Sequence, residues 1–111
     1  MLRLVSSGAT LPLEGRVEFL LGRRDESSGL LPDLDLEPHG GKEAGVSRRH
    51  ARLIVFSPSR AYLADLGSTN GTMLNGEPLS PLRYVGIRDG DRLSLGELEL
   101  VFQAGEPQPR G

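Results

Sequence analysis

The chain has no cysteine and only two histidines among its 111 residues. That removes disulfides, thiol catalysis and thiolate metal sites, and leaves His39 and His50 as the only imidazole ligands for a metal. Excess positive charge is also missing: 13 Lys and Arg stand against 15 Asp and Glu, a formal charge of −2. There is no basic stripe of the kind that nucleic-acid binding usually requires, and no acidic tail. No apolar run approaches the ~20 residues that span a bilayer, and Met1 to Val5 lacks the length and small-residue cleavage site of a signal peptide. The expectation is a soluble, cytoplasmic chain without nucleic-acid or membrane partners.

What the chain does have is punctuation. Fifteen glycines and eight prolines leave few segments able to hold three helical turns, and short β-branched or leucine-rich runs recur between turn signals. The expected strands are Leu2 to Val5, Arg16 to Leu21, Asp33 to Leu36, Ala51 to Phe56, Ala61 to Leu66, Arg92 to Leu95 and Glu97 to Phe102. Their pattern is mostly period two, and the economical reading is an all-β sandwich. Val46 to Phe56 also fits helical spacing behind a Ser47 cap, but Leu53-Ile54-Val55-Phe56 is β-branched and aromatic, and Ser57-Pro58-Ser59 closes it as a hairpin. The length suits one domain, assigned to residues 1–103. Residues 104–111, with Pro107 and Pro109, read as a disordered tail or linker of a larger protein.

Three segments in expected loops collect donors for an anion: Gly22-Arg23, Ser47-Arg48-Arg49-His50 and Gly67-Ser68-Thr69-Asn70-Gly71-Thr72. Arginine presents a planar fork that matches phosphate, hydroxyls supply rotatable neutral donors, and glycines let backbone N–H groups approach closely. Neither a general base nor a metal set accompanies them. Ser47 and His50 lack a third group to orient the ring. Gly67 to Thr72 lacks the Gly-Lys-Ser/Thr ending of a nucleotide loop. Asp33, Asp35, Glu37 and His39 alternate like ligands, but Leu34 and Leu36 between them fit the buried face of a strand, and an EF-hand glycine is absent. No metal or other cofactor, and no catalytic residue, is assigned.

Together with Leu63-Ala64-Asp65-Leu66, Asn75-Gly76 and Asp89-Gly90-Asp91-Arg92-Leu93-Ser94-Leu95-Gly96, these segments resemble a forkhead-associated domain of the bacterial type, over nearly the whole chain. The resemblance implies a sandwich of two antiparallel or mixed sheets with binding loops at one end, and a phosphothreonine reader. By that resemblance Arg23, Ser47, Arg48 and Thr69 hold the phosphate, Asn70 holds the peptide backbone, and Ser68 is counted with them among the phosphopeptide-binding residues. Gly22, His50, Gly67, Gly71 and Asn75 support the loops. Asn70-Gly71 and Asn75-Gly76 both carry type I′ hairpin chemistry. The loop before Ser47, containing Lys42 and Glu43, is implied to read a flanking residue, and Asp25 to Leu31 forms another loop. The implied partner is a phosphothreonine protein or peptide, either a Ser/Thr kinase substrate or the kinase itself, bound by a domain that is monomeric in isolation. The alternative is a phospho-independent interaction or self-association domain.

Overall fold

Leucine at every second position builds the C-terminal hairpin: Leu93, Leu95, Leu98, Leu100 and Phe102 are all buried, and the residues between them face outward, as a one-sided sheet requires. The same logic organises the rest of the computed structural model, which describes residues 1–104. Its strands are β1 (Leu2–Leu4), β2 (Thr10–Leu11), β3 (Glu18–Gly22), β4 (Leu34–Asp35), β5 (Arg49–Ser57), β6 (Arg60–Asp65), β7 (Thr72–Leu74), β8 (Glu77–Pro78), β9 (Val85–Ile87), β10 (Arg92–Leu95) and β11 (Leu98–Phe102). A 3₁₀ turn (Glu37–His39) and one turn of helix, α1 (Gly41–Ala44), lie between β4 and β5. Of the tail expected at residues 104–111, only Ala104 is among the described residues, and its N–H donates to Asp89 Oδ1 at 2.8 Å; the rest of that expectation lies outside the described residues.

One sheet has the order β2-β1-β11-β10-β7-β8 and the other β4-β3-β5-β6-β9. All pairings are antiparallel except β3 with β4. Leu2, Leu4 and the C-terminal hairpin pack against Phe19, Leu21, Ala51, Leu53, Leu63 and Ile87 of the opposite sheet, each large side chain contributing about 1.5–3 kcal/mol on burial. The all-β sandwich of mixed sheets is therefore the observed architecture.

The differences from expectation are local. Strands β2, β7, β8 and β9 were not expected. Two are only two residues long, β9 contains Gly86, and β7 is bracketed by Asn-Gly pairs. The 3₁₀ turn cuts Asp33 to Leu36 short, although Leu34 and Leu36 are buried as their alternation implies. Asn75-Gly76, with φ of 51° and 86°, is a two-residue hairpin joining Leu74 to Glu77, the I′ geometry expected there. Asn70 has no positive φ, and β6 and β7 belong to different sheets. The Asn70-Gly71 segment is a crossover between sheets, not a type I′ hairpin.

Register brings several loops to one end. Gly22 pairs with Arg49, and Ala51 with Asp65. In the other sheet Leu95 pairs with Thr72, and the Gly96 and Glu97 N–H groups donate to Gly71 O at 3.0 Å and Ala44 O at 2.8 Å. The end of β3, the approach to β5, the crossover and the β10–β11 turn thus converge.

Candidate functional site

At that end lies a cleft of about 350 Å³ lined by Arg23, Lys42, Gly45, Val46, Ser47, Arg48, Thr69 and Asn70. Five of the six binding residues expected from sequence meet there, from three separate stretches of the chain at positions 23, 47–48 and 69–70. Ser68 is not in the lining.

Arg23 follows directly on β3, and its N–H donates to Arg48 O at 3.1 Å. This approach needs a glycine before it: a Cβ on Gly22 would lie 1.8 Å from Arg48 O. The guanidinium is held by one edge, with Nε donating to Val46 O at 2.6 Å. Its side chain is only 20% exposed and Nη1 reaches Glu37 Oε1 at 3.5 Å. Arg23 is thus partly buried and oriented before any ligand arrives, and it lines the cleft.

The Ser47 hydroxyl oxygen accepts the Thr69 N–H at 3.0 Å, joining the two loops and leaving the hydroxyl proton free to donate outward. The Asn70 side chain donates to Gly45 O at 3.0 Å, which leaves its carbonyl oxygen open. Gly45 has φ of 86°, and a Cβ there would sit 2.5 Å from Asn70 Nδ2. Only glycine allows that clasp. Arg48 is 62% exposed with Asp25 Oδ1 3.7 Å away, and Arg24 pairs with Asp35 at 2.8 Å.

Two buried side chains set these loops. His50 is wholly buried: its Nδ1 accepts the Ser47 N–H at 2.9 Å and its Nε2 faces Gly71 O at 2.9 Å. With Nδ1 accepting, the tautomer places the proton on Nε2, which donates to Gly71. Burial holds its pKa below the ordinary 6.5, against the opposing pull of the Gly71 bond and Asp65. The expected bracing role of His50 has this geometric basis, and the ring has no acceptor left for the Ser47 hydroxyl.

Asp65, at the end of β6, is 2% exposed. Its Oδ2 accepts the N–H groups of Gly67 at 2.9 Å and Ser68 at 3.1 Å, and its Oδ1 accepts the hydroxyls of Ser68 and of Thr72, the latter at 2.7 Å. Desolvation raises its pKa, but these donors outweigh it and hold the carboxyl below its usual range. Sequence reasoning placed Asp65 in the motif without giving it this role. The signal was an aspartate two and three residues before loop N–H groups, the pattern of an Asx turn. Asp65 also explains Ser68, whose hydroxyl donates to it and accepts the Gly71 N–H at 3.0 Å. Ser68 is a loop brace in this geometry.

Asn75 sits elsewhere. Its side chain donates to Asp91 at 3.1 Å and accepts the Arg92 N–H at 2.9 Å, at the end of β7 away from the cleft. It ties the β7–β8 turn to the start of β10 and touches none of the cleft loops.

A family model for the FHA domain matches residues 19–96. The glycogen accumulation regulator GarA of Mycobacterium tuberculosis is 34% identical over 90 residues, covering 81% of this chain and 51% of GarA. The FHA domain-containing protein FhaA of the same organism is 37% identical over 84 residues, covering 76% of this chain and 13% of FhaA. The chain therefore spans about half or less of these relatives. A solved structure from a structural and functional analysis of phosphothreonine-dependent FHA domain interactions superposes with a TM-score of 0.71 at 31% identity, covering 96% of both chains.

Proposed function

The chain belongs to the forkhead-associated domain family, whose members are interaction modules, and we propose that it binds a phosphothreonine segment of a partner protein without catalysing any reaction on it. The observation that carries this reading is the cleft itself, where Arg23, Lys42, Ser47, Arg48 and Thr69 present cationic and hydroxyl donors around one concave space. Phosphothreonine brings roughly −1.5 to −2 charges and three strong acceptor oxygens. Arg23, Ser47, Arg48 and Thr69 hold the phosphate in this reading, Lys42 adds charge at its edge, and Asn70 bonds the peptide backbone beside it. Ser68, Gly22, Gly45, Gly67, Gly71, His50 and Asp65 shape the loops.

Charge-assisted bonds contribute roughly 1.5–3 kcal/mol each. Four of them at the top of that range, less an association cost of about 4 kcal/mol, leave about 8 kcal/mol, a Kd on the order of micromolar. The non-catalytic reading is supported by His50, whose acceptor nitrogen is taken by a backbone N–H. We place the module in the cytoplasm, reading a Ser/Thr kinase substrate or the kinase itself; no helix of the described residues is long and apolar enough to cross a membrane.

The test is a calorimetric titration of degenerate phosphothreonine, phosphoserine and unphosphorylated peptide libraries. Micromolar binding confined to the phosphothreonine pool is expected. Equal binding of the unphosphorylated pool would replace this reading with a phospho-independent interaction module.

A further inference from the structure

Four cations line the cleft and the groove of about 550 Å³ that adjoins it: Arg23, Arg24, Lys42 and Arg48. Each arginine already faces a carboxylate, in the pairs Arg23–Glu37 at 3.5 Å, Arg24–Asp35 at 2.8 Å and Arg48–Asp25 at 3.7 Å. Lys42, the chain's one lysine, has no such partner among the described residues. We propose that Glu37 and Asp25 are resident counter-ions of the phosphate site, whose hold on Arg23 and Arg48 is replaced by the phosphate of a bound peptide, so that they keep affinity down. This rests on the phosphothreonine reading above.

The three pairs are built differently, and the difference assigns their roles. Arg24–Asp35 is short and anchored: Asp35 also accepts the N–H groups of Arg24 at 3.1 Å and Glu37 at 3.0 Å, and its side chain is 15% exposed. It is a fixed strut. Glu37 is 41% exposed, and its carboxylate makes no other bond among the described residues. Because Arg23 is held through Nε by Val46 O, Glu37 can swing away without releasing the guanidinium. At Arg48 the asymmetry is reversed. Asp25 is fixed by the hydroxyls of Ser27 at 3.0 Å and Ser28 at 2.6 Å, while Arg48 is exposed and free to turn from Asp25 to a ligand. One carboxylate leaves its arginine, and the other arginine leaves its carboxylate.

A carboxylate at the rim opposes an incoming dianion through a partly desolvated space, where Coulomb energies exceed their value in bulk water. A single neutralising change at Glu37 should therefore tighten binding about tenfold at low salt, with the gain shrinking as salt screens it.

The experiment titrates the degenerate phosphothreonine pool into wild type, Glu37→Gln and Arg23→Ala at low and high salt, with thermal melts of all three. About tenfold tighter binding by Glu37→Gln than by wild type at low salt, narrowing at high salt, supports the proposal. If wild type binds and Arg23→Ala does not, but Glu37→Gln binds equally or more weakly, then Glu37 does not compete with phosphate; the proposal fails while the phosphothreonine reading stands. If wild type and Glu37→Gln both ignore the pool, the reading falls and takes the proposal with it.

Discussion

His50 joins two binding loops with one ring, accepting from Ser47 and donating to Gly71, and its neutral form is built into the fold. Protonation would put a hydrogen on Nδ1, where the Ser47 N–H already donates. The folded pKa lies below the ordinary 6.5 because the ring is buried. As pH falls through about 6.5 the unfolded chain takes up a proton that the folded chain refuses, so the stability present above that value is lost progressively toward the depressed folded value. Melting temperature should fall between pH 7.5 and pH 5 (about the range over which an unperturbed imidazole titrates). His50→Gln, which can still accept and donate, should show a shallower fall, and parallel curves for the two proteins would remove His50 as the cause. At this scale much of the site was legible. Arg23, Ser47, Arg48, Thr69 and Asn70 announce themselves as donors flanked by glycine. The bonds of Ser68 to Asp65 and Gly71 and of Asn75 to Asp91 and Arg92 were not legible, because a sequence shows a hydroxyl or an amide and hides which neighbour has already claimed it.

The crossover between β6 and β7 is an element governed by one carboxylate. Asp65 collects two N–H groups and two hydroxyls across positions 67–72, and bonds to a charged acceptor contribute roughly 1.5–3 kcal/mol each. Asp65→Ala leaves those donors without a partner and should cost about 3 kcal/mol or more in urea unfolding, with phosphopeptide binding lost. Asp65→Asn should cost less, because its oxygen can keep the backbone N–H groups while the hydroxyls turn to accept from its amide. Equal stability of wild type and Asp65→Ala would show that the crossover is held by other means. Element boundaries follow the same division between local and distant causes. The long strands β5, β6 and β11 were visible from β-branched or alternating residues. Short β7, β8 and β9 exist because a neighbouring strand offers hydrogen bonds, as Met73 opposite Ser94 and Tyr62 opposite Gly86 illustrate. The α1 turn was hidden by its glycines, which stand at both ends of it.

Across the whole molecule, two sheets of leucine-filled strands act as a frame that sets loops from distant segments around one cleft. The aromatic pair Phe56 and Tyr62, with Arg60 stacked 5.2 Å above Phe56, belongs to the β5–β6 hairpin, whose turn lies at the other end from the β5 start that borders the cleft. The most direct measurement is chemical-shift mapping of the ¹⁵N-labelled protein during addition of a phosphothreonine peptide pool. The account predicts that the amides of Arg23, Ser47, Arg48, Thr69 and Asn70 move together while those of Phe56 to Tyr62 stay in place. Shifts confined to the β5–β6 hairpin, with the cleft amides silent, would contradict it.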